Sequence, residues 1–166
     1  MSSSSRNIFL LFISLLPIFF TACSGGETGT AQTSSSCASC DTSLWKFMYH
    51  RYRLQVIKKC FSANGTIQEM RKARDGDYHI LLKLDTGLDS LLNEKNLEKQ
   101  KGCLVVEVIC QNKVKQEDAI DACENCTSHI EVPPAGSHVK VNGSYVFDKE
   151  HGWMEIHPVT GFEPLQ

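Results

Sequence analysis

The sequence predicts a mainly β fold, a small five-stranded OB-like barrel with one or two short helices, after a signal peptide and a flexible linker. Three observations lead there. Short apolar stretches, several of them alternating apolar and polar residues with a period of two, have the length and pattern of strands. Their order is a long strand bent at Asn64-Gly65, a hairpin, an excursion holding a helix, and a final hairpin, as a five-stranded OB-type barrel requires. No strand–helix–strand alternation carries a Gly-rich phosphate loop, which argues against a nucleotide-binding α/β fold. Another small β-barrel or a β-sandwich is the runner-up.

At 166 residues and 42% hydrophobic content, the chain suffices for one globular domain. A net charge of −2 argues against a dedicated nucleic-acid binder, which carries a basic excess, but leaves room for a local basic patch. Eight cysteines are many for this length, and their meaning depends on the compartment.

The N-terminus points out of the cytosol. Met1 to Asn7 is polar with one cation, Arg6, and Ile8 to Phe20 is an apolar run broken by Ser14 and Pro17. At about 13 residues this run is too short to span a bilayer and has the size of a signal-peptide core. Phe20-Thr21-Ala22-Cys23 resembles the lipobox of bacterial lipoproteins, with Phe20 where Leu is usual. The expectation is a signal peptide over residues 1–22 and lipidation of Cys23. Several acyl chains there would anchor the protein stably to a membrane of the cell envelope, facing outside the cytoplasm. Ser24 after the cysteine implies, by the same resemblance, the outer membrane in a two-membrane bacterium. The alternatives are a secretory signal cleaved near Ala22, with Cys23 a plain thiol, and a buried apolar helix. Residues 23–43, rich in Ser, Thr and Gly, cannot bury enough surface to offset ordering entropy and read as a flexible tether. Residues 44–166 remain for the barrel.

Within them, Leu44 to Val56 mixes aromatic and basic residues, and a short helix and an extended lead-in both fit. Val56 to Met70 reads as the first strand, with Asn64-Gly65 marking a bulge or bend. Arg74-Asp-Gly-Asp77 is a tight turn. The second strand, Tyr78 to Leu84, puts Tyr78, Ile80, Leu82 and Leu84 on one face and His79, Leu81 and Lys83 on the other. Thr86 to Lys101 is helical and charged, with a thin stripe of Leu88, Leu91, Leu92 and Leu97, and Gly102 ends it. Cys103 to Cys110 is apolar on both faces, hence central. Gln116 to Cys126 forms a short helix with Ala119, Ile120 and Cys123 on one side, and Pro133-Pro134 with Gly136 a turn. Val139 to Phe147 and Trp153 to Val159 are the last strands.

Several strings carry a family resemblance. Asp75-Gly-Asp-Tyr-His-Ile, Leu104-Val-Val-Glu, Cys110 with Asp118-Ala-Ile and Cys123, Gly143-Ser-Tyr-Val-x-Asp and His151-Gly-Trp-Met-Glu-Ile-His-Pro-Val159 are found together. From about Arg53 to Val159 the chain resembles an uncharacterised OB-fold-like family, the final motif being the most specific part. The resemblance implies the fold and carries no activity.

Without Cys23 seven cysteines remain: Cys37, Cys40, Cys60, Cys103, Cys110, Cys123 and Cys126. Disulfides are the expectation in an exported protein. The best-motivated pair is Cys110 with Cys123, the end of the central strand with a helix that must pack back on the barrel. Closing so short a loop contributes about 3 kcal/mol by the chain-entropy model. Two Cys-x-x-Cys pairs, Cys37 with Cys40 and Cys123 with Cys126, could together offer four thiolates to zinc, but they lie far apart in sequence. A redox site wants its first cysteine at a helix N-terminus, and Cys123 falls near a C-terminus.

The chemistry concentrates at the end of the chain. In an extended strand Trp153, Glu155, His157 and Val159 share one face, with Met154 and Ile156 on the other. His79 lies on the polar face of the second strand. If His79, Glu155 and His157 meet, with Glu107 a further participant, they could hold a divalent metal or position a water. The competing reading is structural: His157 satisfying a backbone carbonyl, Glu155 pairing locally, Trp153 packing at a rim. A second group, Lys46, Arg51, Arg53, Lys58, Lys59, Arg71, Lys72 and Arg74 with Tyr49, Tyr52 and Phe61 interleaved, could form a cationic groove with stacking rings. The sequence thus reads as a lipid-anchored extracytoplasmic binding module, non-enzymatic by default, with an anionic polymer or a protein as partner. The alternatives are a metal-dependent hydrolase and an oligonucleotide- or polyanion-binding OB domain.

Overall fold

One long strand organises the barrel from both sides. The computed structural model describes residues 40–166; the expected signal peptide, the expected lipidation site at Cys23 and most of the expected tether lie outside them. Strand β1 (Leu54–Lys72) pairs antiparallel with β4 (His138–Asp148) along its first part and with β2 (Tyr78–Leu84) along its second. Gly65 stands at the change of partner, opposite Val139 on one side and Leu84 on the other. A Cβ there would collide with the Lys83 carbonyl oxygen, so the close approach of the two strands requires glycine. Strand β2 pairs with β3 (Leu104–Val108), β3 runs parallel to β5 (Met154–Pro164), and β5 returns to β4. The order β1-β2-β3-β5-β4 closes on itself. This is the mainly β, five-stranded barrel that the order of elements predicts.

Two-sided burial explains the composition of β3, all five of whose residues are buried. Leu104, Val106 and Val108 face the barrel interior with Ile67, Ile80, Leu82, Val139, Val141, Ile156 and Val159. Fully burying each such side chain contributes about 1.5–3 kcal/mol. Outside the barrel, Val105 packs with Leu81, Cys103 and Trp153. A third cluster forms where Leu44 and Met48 cover Leu54, Ile109 and Val146.

The lead-in resolves into two short 3₁₀ turns, Thr42–Phe47 and Arg51–Arg53. Asp41 caps the first, accepting from the Ser43 N–H at 2.8 Å. Cys40 is bonded to Cys60 of β1, so residues 40–43, placed by sequence in the tether, belong to the fold. The second disulfide joins Cys110 to Cys123. Each Cys-x-x-Cys motif therefore has a member bonded outside its own motif, which removes the four-thiolate zinc reading. Among the described residues Cys103 and Cys126 are unpaired.

The helices are shorter than the pattern suggests. Thr86 to Lys101 contains a 3₁₀ turn at Asp89–Leu91 and a single α-helix, α1 (Glu94–Lys99). Leu97, expected in its apolar stripe, is 61% exposed, whereas Asn96 is fully buried. Asn96 and Asn93 form a reciprocal capping box. The Asn96 side-chain amide also donates to the Cys103 and Met154 carbonyls at 3.1 and 2.9 Å and accepts from the Met154 N–H at 2.9 Å. Its hydrogen bonds replace the expected leucine contact. Past β3, a 3₁₀ turn at Glu117–Ala119 leads into α2 (Ile120–Cys123), with Ala119 buried and Ile120 exposed rather than sharing a covered side. Among the described residues no helix is long and apolar enough to cross a membrane.

Strand β5 also departs from strict alternation. Val159 joins Ile156 in the interior rather than Glu155 and His157 on the outer face. The cause is an extra residue: Gly143 faces Val159 and Tyr145 faces Ile156, so three steps on β5 oppose two on β4. The alternation inverts across this bulge.

Candidate functional site

The register of four strands lays one polar row across the outside of the barrel. Arg71 of β1 lies opposite His79 of β2, and His79 opposite Glu107 of β3. In the parallel β3–β5 pair Val105 aligns with Glu155 and Val106 with Ile156, so one step on Glu107 aligns with His157. Residues directly opposite share a face. Arg71 is exposed, while His79, Glu107, Glu155 and His157 are all buried.

The three residues singled out by sequence, His79, Glu155 and His157, therefore converge, and Glu107 joins them. One Glu107 oxygen accepts from His79 Nδ1 at 2.8 Å, and the other lies 3.1 Å from His157 Nδ1. The second His79 nitrogen lies 3.3 Å from Gln100 Oε1. Glu155 accepts from His157 Nδ1 at 3.1 Å and, through its other oxygen, from the Trp153 indole N–H at 2.9 Å. Trp153 is a rim residue, packed on Leu81, Cys103 and Val105 and stacked on His151 at 4.4 Å.

Three further residues belong to the cluster. Asp77, in the turn before β2, accepts from the Cys110 N–H at 2.8 Å and presents its other oxygen 3.8 Å from His157 Nε2. Arg53 lies between Glu107 at 4.0 Å and the fully buried Asp148 at 3.0 Å. The Arg53 Nε–H does not point along the shorter contact, so it is an ion pair rather than a hydrogen bond. Asp148 also accepts from the His151 ring at 2.8 Å. Sequence reading did not join these three to the cluster, because two lie in turns and Asp148 ends a strand, where spacing carries no face information. Arg53 stood in the basic set, Asp77 in a turn signal, and Asp77 and Asp148 in the strings of the family resemblance.

Burial and charge set the protonation of this group. Burial opposes a charge on His157, but Glu107, Glu155 and Asp77 outweigh it and lift the ring to about 9. Burial likewise opposes a charge on Glu107, yet His157, the His79 hydrogen bond and Arg53 hold it at about 2. Asp77 is raised to about 8, chiefly by burial, with His157 pulling the other way. Glu155 is raised as well, by burial and by Glu107.

A stability profile follows for chelator-treated protein. Between the ordinary values of 3.8 for Asp77 and 6.5 for His157 and their folded values of about 8 and 9, the folded chain holds protons that the unfolded chain has released. Stability from these two groups therefore falls as pH rises through that window. Glu107 acts oppositely: its contribution is complete above its ordinary 4.5 and is lost as pH falls towards 2. The melting temperature should peak near about pH 4 and drop by roughly 4–8 °C or more by about pH 9. A flat profile across that range in a thermal melt would contradict the protonation pattern.

The polar row opens into a cleft of about 420 Å³. His79 and Glu107 lie in its wall; Ala73, Arg74 and Asp75 of the β1–β2 turn line one side, and Glu150, His151 and Trp153 of the β4–β5 turn another. Arg53, Arg71 and Lys72 add cations, and Tyr49 and His50 add stacked rings 3.8 Å apart. Tyr49 is held by donating to Asp118 at 2.5 Å and accepting from Gln116 at 3.0 Å. Among the described residues the lining contains no serine, threonine or cysteine. The basic set grouped by sequence is thus divided. Arg53, Arg71, Lys72 and Arg74 reach the cleft, Lys59 lines a separate depression with Trp45 and Val56, and Phe61 packs against Tyr145 at 5.2 Å.

Compared with known protein families, curated proteins and solved structures, the chain matches none of them.

Proposed function

We propose that the chain is a lipid-anchored extracytoplasmic binding module, held at a membrane through Cys23, that takes an anionic oligomer into the cleft between the β1–β2 and β4–β5 turns. The observation that carries this reading is the place of the cleft. In OB barrels, the face of strands two and three and the loops joining strands one to two and four to five bind oligonucleotides and oligosaccharides. Here those same elements line the cavity. The correspondence is one of architecture, and the chemistry must come from the residues. Arg71, Lys72 and Arg74 make no ion pair with a described residue and stand beside Tyr49 and Trp153, the combination of cation and ring that holds a charged chain with little sequence preference. An extracytoplasmic location favours an anionic glycan over a nucleic acid as the natural ligand.

The test is salt-dependent binding of the full chain to a sulfated polysaccharide and a single-stranded oligonucleotide, with neutral dextran as control. Binding at low salt should weaken roughly tenfold in Arg71→Ala/Arg74→Ala, with a shallower salt dependence. No binding of either polyanion at low salt removes the reading. Membrane attachment is checked separately: Cys23→Ala should leave the protein unprocessed or soluble, and persistent attachment contradicts the anchor.

A further inference from the structure

We propose that Asp77, Glu107 and His157 form a binding site for one divalent transition-metal ion, of the zinc or manganese type, beneath the wall of the cleft. The set differs from the His79, Glu155 and His157 grouping that spacing suggests: two of those three support the site and one belongs to it.

Geometry is the first reason. The three residues bring one ligand atom each to within 4.8 Å of one another. Ligand atoms of a tetrahedral zinc at about 2.0–2.2 Å stand roughly 3.3–3.6 Å apart, so closing on an ion draws the side chains together by at most about 1.5 Å, shared among them.

The second reason is an atom with nothing to do. His157 Nε2 is buried, in a residue 1% exposed, and has no hydrogen-bond partner. A buried polar atom left unsatisfied is destabilising and uncommon in folded proteins. It faces Asp77 Oδ2 at 3.8 Å, too long for a hydrogen bond and a suitable span for two ligands of one ion.

Each proposed ligand is also held through an atom that does not face the ion. Glu155 grips His157 at Nδ1, the Cys110 N–H holds Asp77 at Oδ1, and His79 holds Glu107 at Oε1. Trp153 in turn orients Glu155. Partners of this kind fix the tautomer and direction of metal ligands. One imidazole nitrogen with two carboxylates suits zinc or manganese and offers little to a soft metal. Among the described residues, Asp77 with Cys110 and Cys123 is the other geometric grouping, and its sulfurs are committed to a disulfide. Glu107 lines the cleft and gives the ion a way in from solvent.

This site does not depend on the anionic ligand, since metal uptake and polyanion affinity are read separately. The full chain, purified in detergent with a tag lacking histidine, is stripped with chelator and titrated with zinc by calorimetry and with cobalt by visible absorption. One ion per chain is expected, with a rise in melting temperature. Asp77→Asn keeps the acceptor for the Cys110 N–H and should weaken uptake by at least about tenfold while leaving the circular dichroism unchanged. Glu107→Gln supplies the same comparison if the first variant does not fold. No stoichiometric uptake, or uptake undiminished in the folded variant, overturns the proposal.

Discussion

Replacing Glu107 by alanine should cost the fold about 3–5 kcal/mol, the usual loss when one member of a buried charge network is removed. Glu107 is 7% exposed and touches both His79 and His157, with Arg53 at 4.0 Å. Its removal leaves three buried or half-buried donors facing a void. Denaturant titration of the chelator-treated protein gives the value directly. Glu107→Gln preserves the shape and some of the hydrogen bonding and should lose less. If the alanine variant unfolds within about 1 kcal/mol of the parent, the row is far better hydrated than its burial indicates.

The second large effect is expected at Gly143. A Cβ at this position would stand 2.5 Å from both the Pro158 carbonyl oxygen and the Ile156 Cγ2, and 3.1 Å from the Val159 Cα. Two of those atoms are backbone on the neighbouring strand, so the strain cannot be relieved by a rotamer change. Gly143→Ala should lose about 3 kcal/mol, the upper end of the range for overpacking. Gly161, with nothing within 4 Å of its Cβ position, is the control and should change by less than about 0.5 kcal/mol on the same substitution. Equal urea midpoints for the two variants would show that β4 and β5 can separate at the bulge.

These sites mark where sequence was informative and where it was not. The strands were legible because alternation fixes which side chains enter a barrel: Ile80, Leu82, Val139 and Val141 do so as their spacing requires. That Gly65 has a special place was legible because glycine inside a strand needs a reason, but the strand changes partner there, and its register shifts fall between Ile67 and Glu69 and before Phe61. Val159 was not, since a bulge inverts the alternation and depends on which residues of β4 lie opposite. Leu97 and Ile120 failed for another reason. Short helices bury through one or two contacts, and in α1 the amide of Asn96 took that place. At the site, Glu155 and His157 were readable as same-face residues and His79 as lying on a polar strand face, whereas their meeting rests on the parallel alignment of β3 with β5. Arg53, Asp77 and Asp148 reach the cluster from turns and a strand end, where no period applies.

Among the described residues, the pairing of β3 with β5 is the only parallel one in the barrel and aligns two residue pairs, Val105 with Glu155 and Val106 with Ile156. It is also the step that turns a curled sheet into a closed cylinder. Asn96 ties its two strands together at one end, through Cys103 and Met154, and Glu107 with His157 does so at the other. The polar row is therefore the clasp of the cylinder. Anything that binds across Glu107 and His157 tightens the clasp by the free energy of its binding, and anything that parts them opens the ring where it is narrowest.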